Sequence, residues 1–182
     1  MSQCVTLTNI GKSCDPNVGG IREVYLWPID LQTIYNPNQT TWSFGPTAAN
    51  NLAVGSSANI SSYSFTRESS NYTEELASDL VNGSTVWTAT LNLMFTRREA
   101  AKSRAIKLMA DGQKYMGALV KDENGIYWVF QDLQITASGE GSGTTREDGS
   151  KYSVTLVGKT AYPAYEIGVT GASGFINTGT AF

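Results

Sequence analysis

The chain has 182 residues, enough for one domain with a buried core, and its 13 Lys and Arg against 16 Asp and Glu give a formal net charge of −3. It contains no His, so a Ser-His-Asp hydrolase and a His-ligated zinc enzyme are excluded by inventory. Hydrophobic residues are 41% and charged residues only 16%, the balance going to Ser, Thr, Asn and Gly, and nothing in that acidic balance offers the basic face a nucleic-acid binder needs.

The opening MSQCVTLTNIGKSC lacks a basic region followed by an apolar core, so no signal peptide is expected. Cys4 and Cys14 are then expected as free thiols in a reducing cytosol, although they could pair. The Asn-x-Ser/Thr sequons at Asn38, Asn59, Asn71 and Asn82 fit chance in a chain so rich in these residues. No run of about 18 apolar residues exists, so no membrane-spanning helix is expected.

IREVYLWPI, residues 21–29, reads as a strand, and Pro28, which has no backbone donor, marks an edge or a terminus. From residue 31 to residue 66 no charge appears, while Tyr35, Trp42, Phe44, Tyr63 and Phe65 are spaced along Asn, Thr, Ser and Gly. A long uncharged polar stretch with aromatic anchors reads as an interface segment; the plainer alternative is a loop with a short strand or two inside it.

STVWTATLNLMF, residues 84–95, alternates: Trp87, Ala89, Leu91, Leu93 and Phe95 share one face of a half-buried antiparallel strand, with a partner expected near 70–78. A helix over about 97–111 should follow, Thr96 and Glu99 forming a capping box and Ala101, Ala105, Leu108 and Met109 an apolar stripe. Arg97, Arg98, Lys102, Arg104 and Lys107 make it basic, either as a solvated face or as a surface for an acidic neighbour. Asn124-Gly125 then predicts a two-residue hairpin turn, with Leu119 facing Phe130 and Lys121 facing Trp128. After the Gly-rich loop 138–150, Tyr152, Val154 and Leu156 line one side of a last strand, and the tail 160–182 ends in an uncharged run with Phe175 and Phe182. The expected fold is a single α+β, mainly β, domain spanning 1–182. Its body is an antiparallel β-sandwich or open barrel with one helix packed on it, and its long loops lie at 31–66 and 138–150.

The chemistry is sparse. Gly139-Glu140-Gly141-Ser142-Gly143 looks like a phosphate loop, but Thr144-Thr145-Arg146 follows where a Lys-Ser/Thr pair is required, and a strand follows where a helix is required. Glu74-Glu75 and Asp122-Glu123 are adjacent pairs, which point to opposite faces in a strand and are solvated at a turn, so neither makes a glycosidase pair. DENG and EDGS lack the repeated acidic spacing of a calcium loop and read as hairpin turns. Among Trp27, Trp42, Trp87 and Trp128, only Trp42 stands outside a core-like pattern, which leaves a monomeric carbohydrate- or protein-binding module as the alternative function. No catalytic residue, metal or cofactor is expected.

The order of elements is distinctive: an alternating strand, the helix TRREAAKSRAIKLMA, a hairpin whose turn and second arm read KDENGIYWVF, then GEGSGTTREDGSKYSVTLVGK. Over about residues 84–160, with a weaker echo at 20–30, this succession resembles the tail-tube-like structural proteins of tailed bacteriophages, particularly those of Bacteroides phages. Lys151-Tyr152 inside the closing strand and the longer uncharged tail depart from the pattern, leaving open whether it is a tube protein or a related ring. The resemblance implies a non-enzymatic virion protein, assembled in the host bacterial cytoplasm. Its subunits would close into a ring, usually six-fold and in some cases twelve-fold, of the tail or head–tail connector, in contact with other tail or portal proteins. DNA would pass through the lumen at ejection without specific binding, which suits neutral or negative walls. On that reading the inter-subunit contacts are Trp42, Phe44, Glu140, Arg146, Glu147 and Asp148, carried on arms at 31–66 and 138–150.

Overall fold

Alternation of apolar and polar side chains builds one sheet. The computed structural model describes residues 17–28, 32–33, 53–54, 60–79, 81–111 and 114–167; Cys4, Cys14, Trp42, Phe44 and the tail beyond Ile167 lie outside them. In chain order the elements are β1 (Ile21–Pro28), β2 (Gln32–Thr33), β3 (Ala53–Val54), β4 (Ser61–Ser64), β5 (Asn71–Asp79), β6 (Ser84–Thr96), α1 (Ala100–Ala110), β7 (Met116–Asp122), β8 (Tyr127–Gly141), β9 (Lys151–Thr160) and β10 (Tyr165–Ile167). Eight strands form an antiparallel sheet in the order β4-β1-β7-β8-β9-β6-β5, with β10 paired to the start of β8, while β2 and β3 pair separately. The fold is therefore mainly β, with one helix among the described residues. Pro28 ends β1 at a strand terminus rather than at a sheet edge, since β1 lies between β4 and β7.

The sheet is open but strongly curled. Tyr63 on β4 meets Phe95 on β6 edge-on at 5.3 Å, although four strands separate them in the sheet order. Curling gathers Val24 and Leu26, Ala118 and Val120, Phe130 and Leu133, Val154 and Leu156, and Leu91 and Leu93 into one apolar core. Each fully buried Leu or Phe there contributes roughly 1.5–3 kcal/mol through lost contact with water. β1, β7 and β8 are buried on their other face too, through Trp27, Leu119, Tyr127 and Val129. Gly117 is required in that layer: a Cβ there would stand 2.4 Å from the Trp27 ring.

One stretch of chain supplies both edges of the sheet, because β4 and β5 are separated only by residues 65–70. Ser70, buried at 6% exposure, is the stitch between them. Its carbonyl accepts the Ile21 N–H at 3.1 Å and its Oγ accepts the Met94 N–H at 3.0 Å, so the start of β1 and the end of β6 meet through one residue.

Several sequence expectations are corrected. Helix α1 begins at Ala100, because β6 runs on through Thr96 and Arg97 turns the chain with φ of 62°. Thr96 is therefore a strand residue, and Glu99 takes the N-cap position without a side-chain cap bond, so no capping box forms. Ala101 and Leu108 of the expected stripe are exposed; the covered face is Ser103, Ile106 and Met109.

The β7–β8 hairpin is shifted by one residue, pairing Ala118 with Phe130 and Val120 with Trp128. Gly125 alone takes the left-handed conformation, φ 82°, so the loop has three residues, Glu123 to Gly125, closed by the Asp122 carboxylate accepting the Ile126 N–H at 2.9 Å. A two-residue turn of the expected kind needs positive φ at both centres. Finally, Ser138 to Gly141 belong to β8, which shortens the predicted 138–150 loop to 142–150. The uncharged stretch 31–66 contains β2, β3 and β4, and the tail from 160 contains β10.

Candidate functional site

Two ends of the sheet carry the features that bear on function. At the first, β6, β8 and β9 extend beyond β7, whose pairing with β8 stops at Leu133. From Ile135 to Gly141, β8 keeps β9 on one side, and among the described residues no strand pairs with its other edge.

Helix α1 and the loop 142–150 close this end with their own contacts. Glu140 lies opposite Tyr152 in the ladder, and its carboxylate pairs with the Arg98 guanidinium at 2.9 Å. Arg98 also lies over the Tyr152 ring, 5.6 Å from its centre. The Tyr152 hydroxyl donates to the Glu99 carbonyl at 3.3 Å and is hydrogen-bonded to the Ser103 hydroxyl. Ser150 accepts the Arg97 N–H through its carbonyl at 2.7 Å and the Arg98 N–H through its Oγ at 3.0 Å. Asp148 folds the loop internally, its Oδ2 accepting the Thr145 and Thr144 N–H groups at 2.9 and 3.0 Å. Those bonds hold its carboxyl below the ordinary 3.8.

Of the loop residues expected to contact neighbours, Glu140 and Asp148 are thus engaged within the chain. Arg146 and Glu147 are exposed and make no hydrogen bond or ion pair among the described residues. Trp42 and Phe44 lie outside those residues. The basic helix face is also smaller than the sequence suggests. Lys102 donates to the Thr96 and Arg97 carbonyls at 2.7 and 3.2 Å, and Arg97 pairs with Glu99 at 3.3 Å. Arg104 and Lys107 remain without an ion pair among the described residues.

The second end has the opposite character. β9 leaves β6 at Trp87, while the β5–β6 ladder continues through Ala77 with Val86, Ser78 with Thr85 and Asp79 with Ser84. Residues 76–79 and 81–86 therefore project as a two-stranded ribbon with no third strand on either side among the described residues. Near its tip Asp79 accepts the Asn82 side-chain amide at 2.6 Å and the Val81 and Asn82 N–H groups at 2.9 and 3.3 Å. The Asn82 side-chain bond leads in holding the Asp79 carboxyl below its ordinary 3.8. Leu76, Val81 and Val86 are nevertheless 52%, 93% and 37% exposed. This ribbon is the feature that sequence reading missed. A signal was there: β5 carries only Tyr72, Leu76 and Ala77 as apolar residues, too few to bury a strand of nine residues.

Inside the sheet, the expected separation of Glu74 and Glu75 holds. Glu75 is exposed, whereas Glu74 turns inward and accepts the Ala164 N–H at 2.7 Å; burial pushes its carboxyl above the ordinary 4.5. Asp122 is corrected from a solvated turn residue to a buried one, 7% exposed, at the end of the inward row Met116, Ala118 and Val120. Among the described residues no three Cys, Asp or Glu side chains converge as a metal site, and no helix is long and apolar enough to cross a membrane. No family model matches the chain, no curated protein is similar to it, and no solved structure matches its fold.

Proposed function

We propose that the protein is a structural, non-enzymatic virion subunit that oligomerises into a ring of a phage tail tube or head–tail connector, enclosing a channel through which DNA passes without specific binding. The observation that carries this reading is the projecting β5–β6 ribbon. An isolated two-stranded ribbon is marginal in water, and this one also exposes Leu76, Val81 and Val86. Apolar side chains and bare strand edges on an ordered projection suit docking onto another subunit.

The edge of β8 from Ile135 to Gly141 that faces away from β9 is a second strand edge with no partner among the described residues, on a different part of the molecule. Two different surfaces on one chain suit head-to-tail contacts, and such contacts generate a closed ring when the rotation permits. The test is to replace residues 77–86 by an Asn-Gly turn joining the opposed residues Leu76 and Trp87, and to image both proteins by negative-stain electron microscopy. Rings or tubes from the natural chain, absent from the shortened one while its circular dichroism and melting are unchanged, are the expected result. Rings that persist in the shortened protein would remove the ribbon from the account, and a natural chain that forms none would count against assembly from this subunit alone.

A further inference from the structure

Two bare strand edges of this sheet lie in surroundings of opposite charge. One is the outer edge of β5, the last strand in the sheet order, which has no partner among the described residues. The other is the edge of β8 from Ile135 to Gly141 that faces away from β9. The unpaired backbone N–H and C=O groups of such an edge are a template for an added strand. Charge and strand direction then select which strand is added.

The β5 side is acidic. Residues 71–96 contain Glu74, Glu75 and Asp79 and no Lys or Arg. Glu74 is turned inward onto the Ala164 N–H, but Glu75 and Asp79 are exposed, and Glu75 has no hydrogen bond or ion pair among the described residues. The β8 side is basic. Helix α1 lies against the end of β8, where Ser103 and Ile106 share a recess with Ser138, Gly139 and Glu140. That helix carries Lys102, Arg104 and Lys107 and no acidic residue. Arg104 and Lys107 follow Ser103 and Ile106 directly in the chain and are exposed without an ion pair among the described residues. The carboxylate on this edge, Glu140, is already held by Arg98.

Like edges therefore repel and unlike edges attract. Two β5 edges would bring the Glu75 and Asp79 carboxylates of both copies together, and two β8 edges would bring two basic helices together. Strand direction agrees. β8 pairs antiparallel with β9, β9 with β6 and β6 with β5, so β5 runs opposite to β8. A second copy that continues the sheet without turning over presents its β5 antiparallel to β8, the same sense as the pairs within the chain.

We infer that the β8 edge from Ile135 to Gly141 is the docking site for the ribbon of a second copy of this chain, whose β5 adds antiparallel to β8 and brings its acidic strand beside the basic helix. This rests on the proposed assembly and names which of its surfaces mate. The contact is head-to-tail, so each copy keeps one edge free for the next, and the series either closes as a ring or runs on as a filament.

The test mixes the natural chain with an excess of the shortened chain in which an Asn-Gly turn joins Leu76 to Trp87. The shortened chain has lost the ribbon but keeps its β8 edge. Alone it should stay single; with the natural chain it should occupy the natural ribbon and stop growth there, lowering the mass of the assemblies in light scattering. Deuterium uptake over residues 135–141 of the shortened chain should fall when the natural chain is added. Glu75→Lys in the natural chain should weaken this capture about tenfold, and Arg104→Glu with Lys107→Glu in the shortened chain should recover it. Assemblies that ignore the shortened chain, a shortened chain that pairs with itself, or unchanged uptake at 135–141 would each overturn the inference while leaving assembly into rings standing. Capture by the shortened chain, with only open filaments from the natural one, would uphold the inference and remove the ring. Should the shortened chain not fold, the natural chain alone gives the answer: uptake must fall at both 76–79 and 135–141 between dilute and assembled protein, and a fall at one edge only would overturn the inference.

Discussion

The two ends of the sheet differ in how far each satisfies itself. The β8–β9 end, whose Gly-rich loop draws attention in the sequence, is closed by Glu140 on Arg98, Tyr152 on Glu99 and Ser103, and Ser150 on the start of α1. The β5–β6 end has an ordered turn under Asp79 and then nothing to cover Leu76, Val81 or Val86 among the described residues. A loop that resembles an arm is largely spent on its own fold, while a strand pair that resembles ordinary sheet is the part left wanting a partner. Composition marks where a chain is irregular; only packing shows where it is incomplete.

The largest effect should come from charging the ribbon. Leu76→Asp with Val86→Asp should abolish assembly in gel filtration while changing unfolding free energy by no more than about 1 kcal/mol, since both positions are largely exposed in the monomer. A large loss of stability instead would mean that the ribbon packs against its own chain. Ser70→Ala attacks the stitch between the two edges of the sheet. It leaves the Met94 N–H without its acceptor, and denaturant unfolding should show a loss of about 1–3 kcal/mol.

Glu140→Ala should do much less. The Arg98–Glu140 pair is half exposed, and such pairs contribute about 0–1 kcal/mol, so a greater loss would show the closed end to depend on it more than its exposure allows. The smallest effect is one of pH, and here the two ends should behave alike. Asp79 and Asp148 are each more acidic in the folded chain than their ordinary 3.8. The contribution of each is therefore complete above that value and is lost as pH falls through the lower folded one. NMR titration of the Val81, Asn82, Thr144 and Thr145 amides should give midpoints below 3.8. Glu74 runs the other way. Its raised carboxyl favours the folded state below the ordinary 4.5, and that advantage disappears as pH rises through the folded value.

Much of the fold was legible in the residues. The alternation from Trp87 to Phe95 and from Tyr152 to Leu156 gave those strands and their inward faces, because a half-buried strand leaves a period of two. The helix start was misplaced because Thr96 and Glu99 satisfy a local capping pattern that the sheet overrides by carrying β6 through Thr96. The hairpin slipped by one because Asn-Gly serves two turn geometries, and the choice fell to the Asp122 side chain, which takes the Ile126 N–H. The candidate site was less legible. Exposure of Leu76 and Val86 depends on where β9 ends, a long-range fact that no local window contains.

The measurement that bears most directly on the central claim is molar mass in solution by multi-angle light scattering across a wide range of protein concentration. The account predicts a discrete species at a fixed multiple of the 19.6 kDa chain, six-fold foremost, or longer stacks of it. A mass that stays at one chain at every concentration would contradict it.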